Sequence, residues 1–163
     1  MIKGRSLLTV LAAGVALLTV GLCIEATRAA QLDTADVRLQ GRVYEGSLGE
    51  EPPQSQPLEG VSVSVYGANN PYPDMGVLID STTTDSEGWY GLMVPDGYEY
   101  YHIVETEPSE YYSSVGATTV GGTVQTSNWI QYDTLQQPLG EQTLTGNKFW
   151  DRSWDTHFED SFE

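Results

Sequence analysis

Few side-chain types here can do acid–base, nucleophilic or metal chemistry. The 163-residue chain has one cysteine, Cys23, two histidines, His102 and His157, and 23 acidic residues. Cys23 lies in an apolar N-terminal run, so the remainder has neither a thiol nucleophile nor a disulfide. A zinc site needs more His or Cys ligands than the chain holds. No serine stands in a Gly-x-Ser-x-Gly elbow. His102 falls inside an alternating segment, where a ring facing solvent or a neighbour is expected rather than a general base. Carboxylates are so numerous that some pair will reach glycosidase spacing by chance, so such a pair is uninformative. The chain therefore reads as no enzyme, and no catalytic residue is assigned.

Aromatic side chains offer binding instead. Trp89, Tyr72, Tyr98, Tyr100, Tyr111 and Tyr112 cannot all face one core. Such rings either cap the ends of a sheet pair or stack on sugar rings. Trp89, Tyr98 and Tyr111 are the candidate ligand contacts, and a small carbohydrate-binding protein is the alternative function.

Charge narrows the partners. Residues 30–163 carry four basic side chains, Arg38, Arg42, Lys148 and Arg152, against 22 acidic ones, a balance of −18. That surface repels nucleic-acid phosphates and anionic membranes and keeps an exported protein soluble. The expected partner is an extracellular protein or polysaccharide, with no nucleic acid.

The N-terminus explains the export. Lys3 and Arg5 precede an uncharged apolar run, Leu7 to Ile24, which small residues follow. This is the layout of a secretory signal peptide, 1–29, cut after Ala29 with Thr27 two positions upstream. An uncleaved N-terminal anchor is the rival, since about 18 apolar residues can span a bilayer. Membrane contact is expected only in that case. No second apolar run or sorting motif is seen, so a secreted, extracellular product is expected, with a cell-surface protein held by the uncut segment as the alternative.

Residues 30–36 read as a linker, and the elements that must position everything else follow. Val37 to Tyr44 alternates apolar and polar residues, and Val61, Val63 and Val65 share one face opposite serines. Val77 to Thr84 is β-branched. Tyr90, Leu92 and Val94 share a face, as do Tyr101, Ile103 and Glu105. Tyr111-Tyr112, 121–124, 128–132 and 144–150 are further strand-like segments. Loops rich in Pro, Gly and Ser separate them, at 45–57, 67–76, 85–88 and 95–97. The fold class expected is all-β, a seven- or eight-stranded antiparallel sandwich over 37–150. Residues 151–163 read as a mobile acidic tail.

Four fragments in order carry a family resemblance: Pro57-Leu58-x-Gly60-Val61-x-Val63-x-Val65-Tyr66, Thr83-Thr84-Asp85-x-x-Gly88-x-Tyr90-x-Leu92, Pro95-x-Gly97, and Tyr101-x-Ile103-x-Glu105-x-x-Pro108. The chain resembles the B-type domains of serine–aspartate repeat surface proteins. It is also similar to the wider prealbumin-like (Ig-like) sandwiches, among them collagen-adhesin B-like stalk domains and carboxypeptidase regulatory domains. The resemblance covers Val37 to Tyr112 and implies a structural or adhesive surface module, with Gly60, Val61, Val63, Asp85, Gly88, Tyr90, Tyr101 and Glu105 as its core and turn residues.

Two departures limit what it implies. Calcium-binding members carry an Asp/Asn-rich loop after the first strand. Here 45–57 lacks that spacing, so no calcium site is carried over, although Glu45, Glu50 and Glu51 keep a weak one conceivable. The stalk relatives' Lys–Asn cross-link needs a lysine on the first strand. Residues 37–44 offer only arginines. No cofactor is expected. Residues 144–150 read either as the last strand or as the opening strand of a truncated repeat, which would let copies associate through a free edge.

Overall fold

A computed structural model describes residues 37–119, 121–134 and 143–154. The expected signal peptide, the linker and most of the acidic tail, with His157, lie outside the described residues.

Among the described residues, ten strands form two five-stranded sheets. They are β1 (Val37–Glu45), β2 (Gln56–Pro57), β3 (Ser62–Ala68), β4 (Val77–Thr83), β5 (Trp89–Val94), β6 (Tyr100–Thr106), β7 (Tyr111–Ala117), β8 (Gly122–Thr126), β9 (Trp129–Asp133) and β10 (Thr143–Ser153). One sheet runs β2-β1-β10-β7, with β5 also paired to β1; the other runs β4-β3-β6-β9-β8. The all-β sandwich is the expected one, with ten strands instead of seven or eight. One ladder also departs from the antiparallel expectation: β1 and β10 are parallel, from Arg38↔Thr143 to Glu45↔Asp151.

The core follows from the two-residue period of the strands. Val37, Leu39 and Val43 of β1, Tyr90, Leu92 and Val94 of β5, and Phe149 of β10 face inward from the first sheet. Val63 and Val65 of β3, Tyr101 and Ile103 of β6, and Ile130 and Tyr132 of β9 meet them from the second. Residues 144–150 close this sandwich. Both edges of β10 are hydrogen-bonded, to β1 and to β7, so pairing with another copy there requires displacing one of them. The strand also outruns the expected boundary. Asp151, assigned to the tail from its acidic surroundings, is fully buried, because the period that turns Asn147 and Phe149 inward also turns Asp151 inward.

The 85–88 turn sets where β5 begins. Asp85 Oδ1 accepts from the backbone N–H groups of Glu87 and Trp89, both at 2.9 Å. Gly88 has φ +75°, and a Cβ there would sit 2.5 Å from the Val43 carbonyl oxygen. The Gly88 carbonyl in turn accepts from Val43 N–H at 3.0 Å. Gly88→Ala is thus strained in dihedral and in space. It should lower stability by about 2 kcal/mol or more, read as a lower urea midpoint at unchanged slope.

Candidate functional site

Two buried acids face inward from opposite sheets. Glu105 is the third inward residue of β6, after Tyr101 and Ile103, and is 1% exposed; Asp151 of β10 is fully buried. All four of their carboxyl oxygens are buried without a hydrogen-bond partner. A charge so placed loses its hydration without recompense, and each acid holds its proton instead. Burial, then the charges of Asp151 and Glu107, pushes Glu105 up to about 9. Burial and the Glu107 charge push Asp151 up to about 7. At neutral pH Glu105 is a neutral acid while Asp151 is near its midpoint.

Four residues back along the inward face of β10, past Phe149, stands an amide knot. Asn147 is fully buried. Its Oδ1 accepts from Tyr132 Oη at 2.7 Å and from Thr118 Oγ1 at 2.8 Å. Its Nδ2 donates to the carbonyls of Gln40 and Leu144, both at 3.2 Å. Tyr90 Oη donates to the Asn147 carbonyl at 3.0 Å. One residue therefore ties β10 to β1, to β5 and, through Tyr132, to the opposite sheet. Burial raises both Tyr90 and Tyr132, so both remain neutral donors. The knot also explains Gly41: a Cβ there would lie 1.6 Å from the Asn147 carbonyl oxygen.

An acid pair with separated affinities can run general acid–base chemistry when substrate reaches it. Here no side-chain surface of the pair is open to a substrate. His102 is likewise fully buried. Its Nε2 lies 3.1 Å from Gln131 Oε1 and its Nδ1 3.4 Å from the Met75 carbonyl. Burial holds its affinity for protons below the ordinary value. The loop 67–76 covers it, with Tyr72 N–H donating to the same Gln131 oxygen at 2.7 Å and Tyr72 edge-on to Trp129.

The residues singled out by resemblance are scattered through the sandwich. Val61, Val63, Tyr90 and Tyr101 lie in the core; Tyr101 Oη donates to the Pro95 carbonyl. Gly60 has φ +79° ahead of β3, and Asp85 and Gly88 form the turn. Glu105 and, through its hydroxyl on the Asn147 carbonyl, Tyr90 join the polar groups between the sheets.

The three candidate aromatics do not converge. Tyr98 packs edge-on against Tyr101, and its ring fills the space a Gly67 side chain would need. Tyr111 starts β7 opposite Ser153, with its hydroxyl 3.4 Å from Glu45 Oε2. Trp89 lies 40% exposed on the outer face of β5 under the Arg42 guanidinium. The loop acids are engaged too: Glu50 accepts from Ser47 N–H, and Glu51 pairs with Lys148. Among the described residues no three His, Cys, Asp or Glu side chains gather around a point that could hold a metal.

Asn147 and Asp151 are what residue-type reasoning missed. Their signal was present as phase, since both are two-residue steps from Phe149.

Compared with models of known protein families, the chain matches none. Among solved structures it is similar to the shaft pilin SpaA of Lactobacillus rhamnosus GG, at 13% identity and TM-score 0.45, over 74% of this chain and 51% of that one. It is also similar to the major pilin SpaD of Corynebacterium diphtheriae, at 11% identity and TM-score 0.46, over 71% of this chain and 32% of that one. A third is the major plantain pollen allergen Pla l 1, at 19% identity and TM-score 0.45, over 74% of this chain and 95% of that one. The chain thus spans about half the length of the shaft pilin.

Proposed function

We propose that the chain is an exported, non-catalytic structural module that carries load along its strands, as a surface or secreted protein. The observation that supports this reading is the parallel β1–β10 ladder. Because the two strands point the same way, the chain enters the sandwich at one end and leaves it at the other. A pull on the two ends therefore shears the ladder along its length, about 30 Å for the nine residues of β1, and must break its hydrogen bonds together. Antiparallel neighbours on both flanks, β5 and β7, brace the pair. The burial of Glu105, Asp151 and His102 is in keeping with a role that does no chemistry.

Single-molecule pulling of the full chain tests this. Drawn through its N- and C-termini, the sandwich should resist a clearly higher force than when drawn through the N-terminus and the exposed turn residue Asp96. The latter lies beyond Val94, the partner of Val37, so that pull unzips β1 from β5 one bond at a time. Equal forces in the two geometries would overturn the reading.

A further inference from the structure

The outer face of β1 and β5 carries two of the few basic side chains beside two exposed apolar ones. All four basic residues of 37–163 lie on β1 and β10, the adjacent parallel strands at the middle of one sheet. Arg38 opposes Met93 across the β1–β5 ladder, Gln40 opposes Gly91, and Arg42 opposes Trp89. Met93 and Trp89 are 45% and 40% exposed.

The two guanidinium groups are held ready. With the Gln40 carboxamide oriented so that its oxygen faces Arg38, it accepts from Nε at 3.0 Å and Nη2 at 3.2 Å. That guanidinium lies over Gly91, where a side-chain Cβ would come within 3.2 Å of Nη2. Its remaining N–H groups have no acidic partner among the described ion pairs. Arg42 lies 3.9 Å over the Trp89 ring, and its contact to Glu87, at 3.7 Å, is to a carboxylate 74% exposed. An exposed pair of that length holds Glu87 weakly.

We propose that this face binds a uronate-bearing polysaccharide. The part of the Trp89 indole left exposed beside the Arg42 guanidinium takes the C–H face of one sugar ring. Arg38 then forks the carboxylate of that sugar or its neighbour: its guanidinium lies over Gly91, two strand residues, about 7 Å, along β5 from Trp89. A guanidinium already fixed by Gln40 loses little freedom on binding. Charge complementarity selects an acidic sugar over a neutral one, since Arg38 has no acidic partner among the described ion pairs. At physiological ionic strength the distant acids are screened beyond about 8 Å, so the local guanidinium groups decide. An acidic peptide such as poly-glutamate offers carboxylates but no sugar-ring face for Trp89, so it makes the Arg38 contact alone. This inference stands independently of the load-bearing role.

Isothermal calorimetry on the full chain tests it, with oligogalacturonate and hyaluronan oligosaccharides as probes. Saturable heat is expected with at least one. Arg38→Gln should weaken it about tenfold or more, as for loss of a charge-assisted hydrogen bond. Trp89→Ala should remove it, in protein whose circular dichroism and melting curve match the parent. Carboxyl-reduced oligogalacturonate and poly-glutamate should give none. Absence of heat with both uronates, undiminished affinity in Arg38→Gln, or equal binding of the reduced sugar would overturn the proposal. Equal binding of poly-glutamate would overturn it too, by marking a face for acidic peptides.

Discussion

Raising the pH from 5 to 8 lowers the stability of this protein, and Glu105→Gln removes most of that loss. In the unfolded chain Glu105 regains its ordinary value near 4.5, whereas in the folded protein burial holds it at about 9. Between those values the native state binds a proton that the unfolded state does not. Stability is therefore full below the unfolded value and lost as pH rises toward the folded one. Each pH unit in that window costs about 1.4 kcal/mol, so Glu105 alone accounts for roughly 4 kcal/mol between pH 5 and 8.

Asp151 adds to the loss in the same sense between its ordinary 3.8 and about 7. General repulsion among the carboxylates works in the same direction, because the chain's isoelectric point is about 4.1. The melting temperature should peak near pH 4–5 and fall by about 10 °C or more at pH 8. Gln keeps the shape of Glu105 but does not titrate. The variant should match the parent at pH 5 and exceed it at pH 8. Parallel melting curves against pH for the two proteins would refute this account of Glu105.

Asn147→Ala should cost about 4 kcal/mol, with little dependence on pH. The hydroxyls of Tyr132 and Thr118 lose their shared acceptor, and the carbonyls of Gln40 and Leu144 lose a donor. Each buried group left unpaired costs about 1–3 kcal/mol, and the cavity adds to it. Asn147→Leu separates the two causes, since it restores volume without hydrogen bonds. It should recover only about 1 kcal/mol of the loss in urea unfolding. If Leu restores parental stability, the residue serves packing and the polar knot is incidental.

Much of the sandwich was legible because strand alternation is a local signal. Val61, Val63 and Val65, or Tyr90, Leu92 and Val94, declare an inward face without reference to anything distant. The Asp85 turn was legible for the same reason, since its hydrogen bonds span only four residues. The parallel β1–β10 ladder was not, because nothing within either segment says which distant strand will lie beside it or in which direction. Asp151 was misread because acidic composition outweighed the period that continues from Phe149. Glu105, by contrast, already stood in phase with Tyr101 and Ile103, and that phase alone places a carboxyl in the core.

The sequence by itself therefore determined that this is an acidic, strand-built protein whose lysines and arginines beyond residue 36 lie in two short segments, around Arg38 and Arg42 and around Lys148 and Arg152. Only the tertiary structure decided that those segments are neighbours and that Trp89 lies beneath Arg42 on their outer face. It alone turned Glu105 and Asp151 from two of many carboxylates into buried acids between the sheets. The physical reason is one of range. Alternation and turn chemistry act over a few residues, whereas the desolvation that raises an acid's pKa depends on which distant strands enclose it.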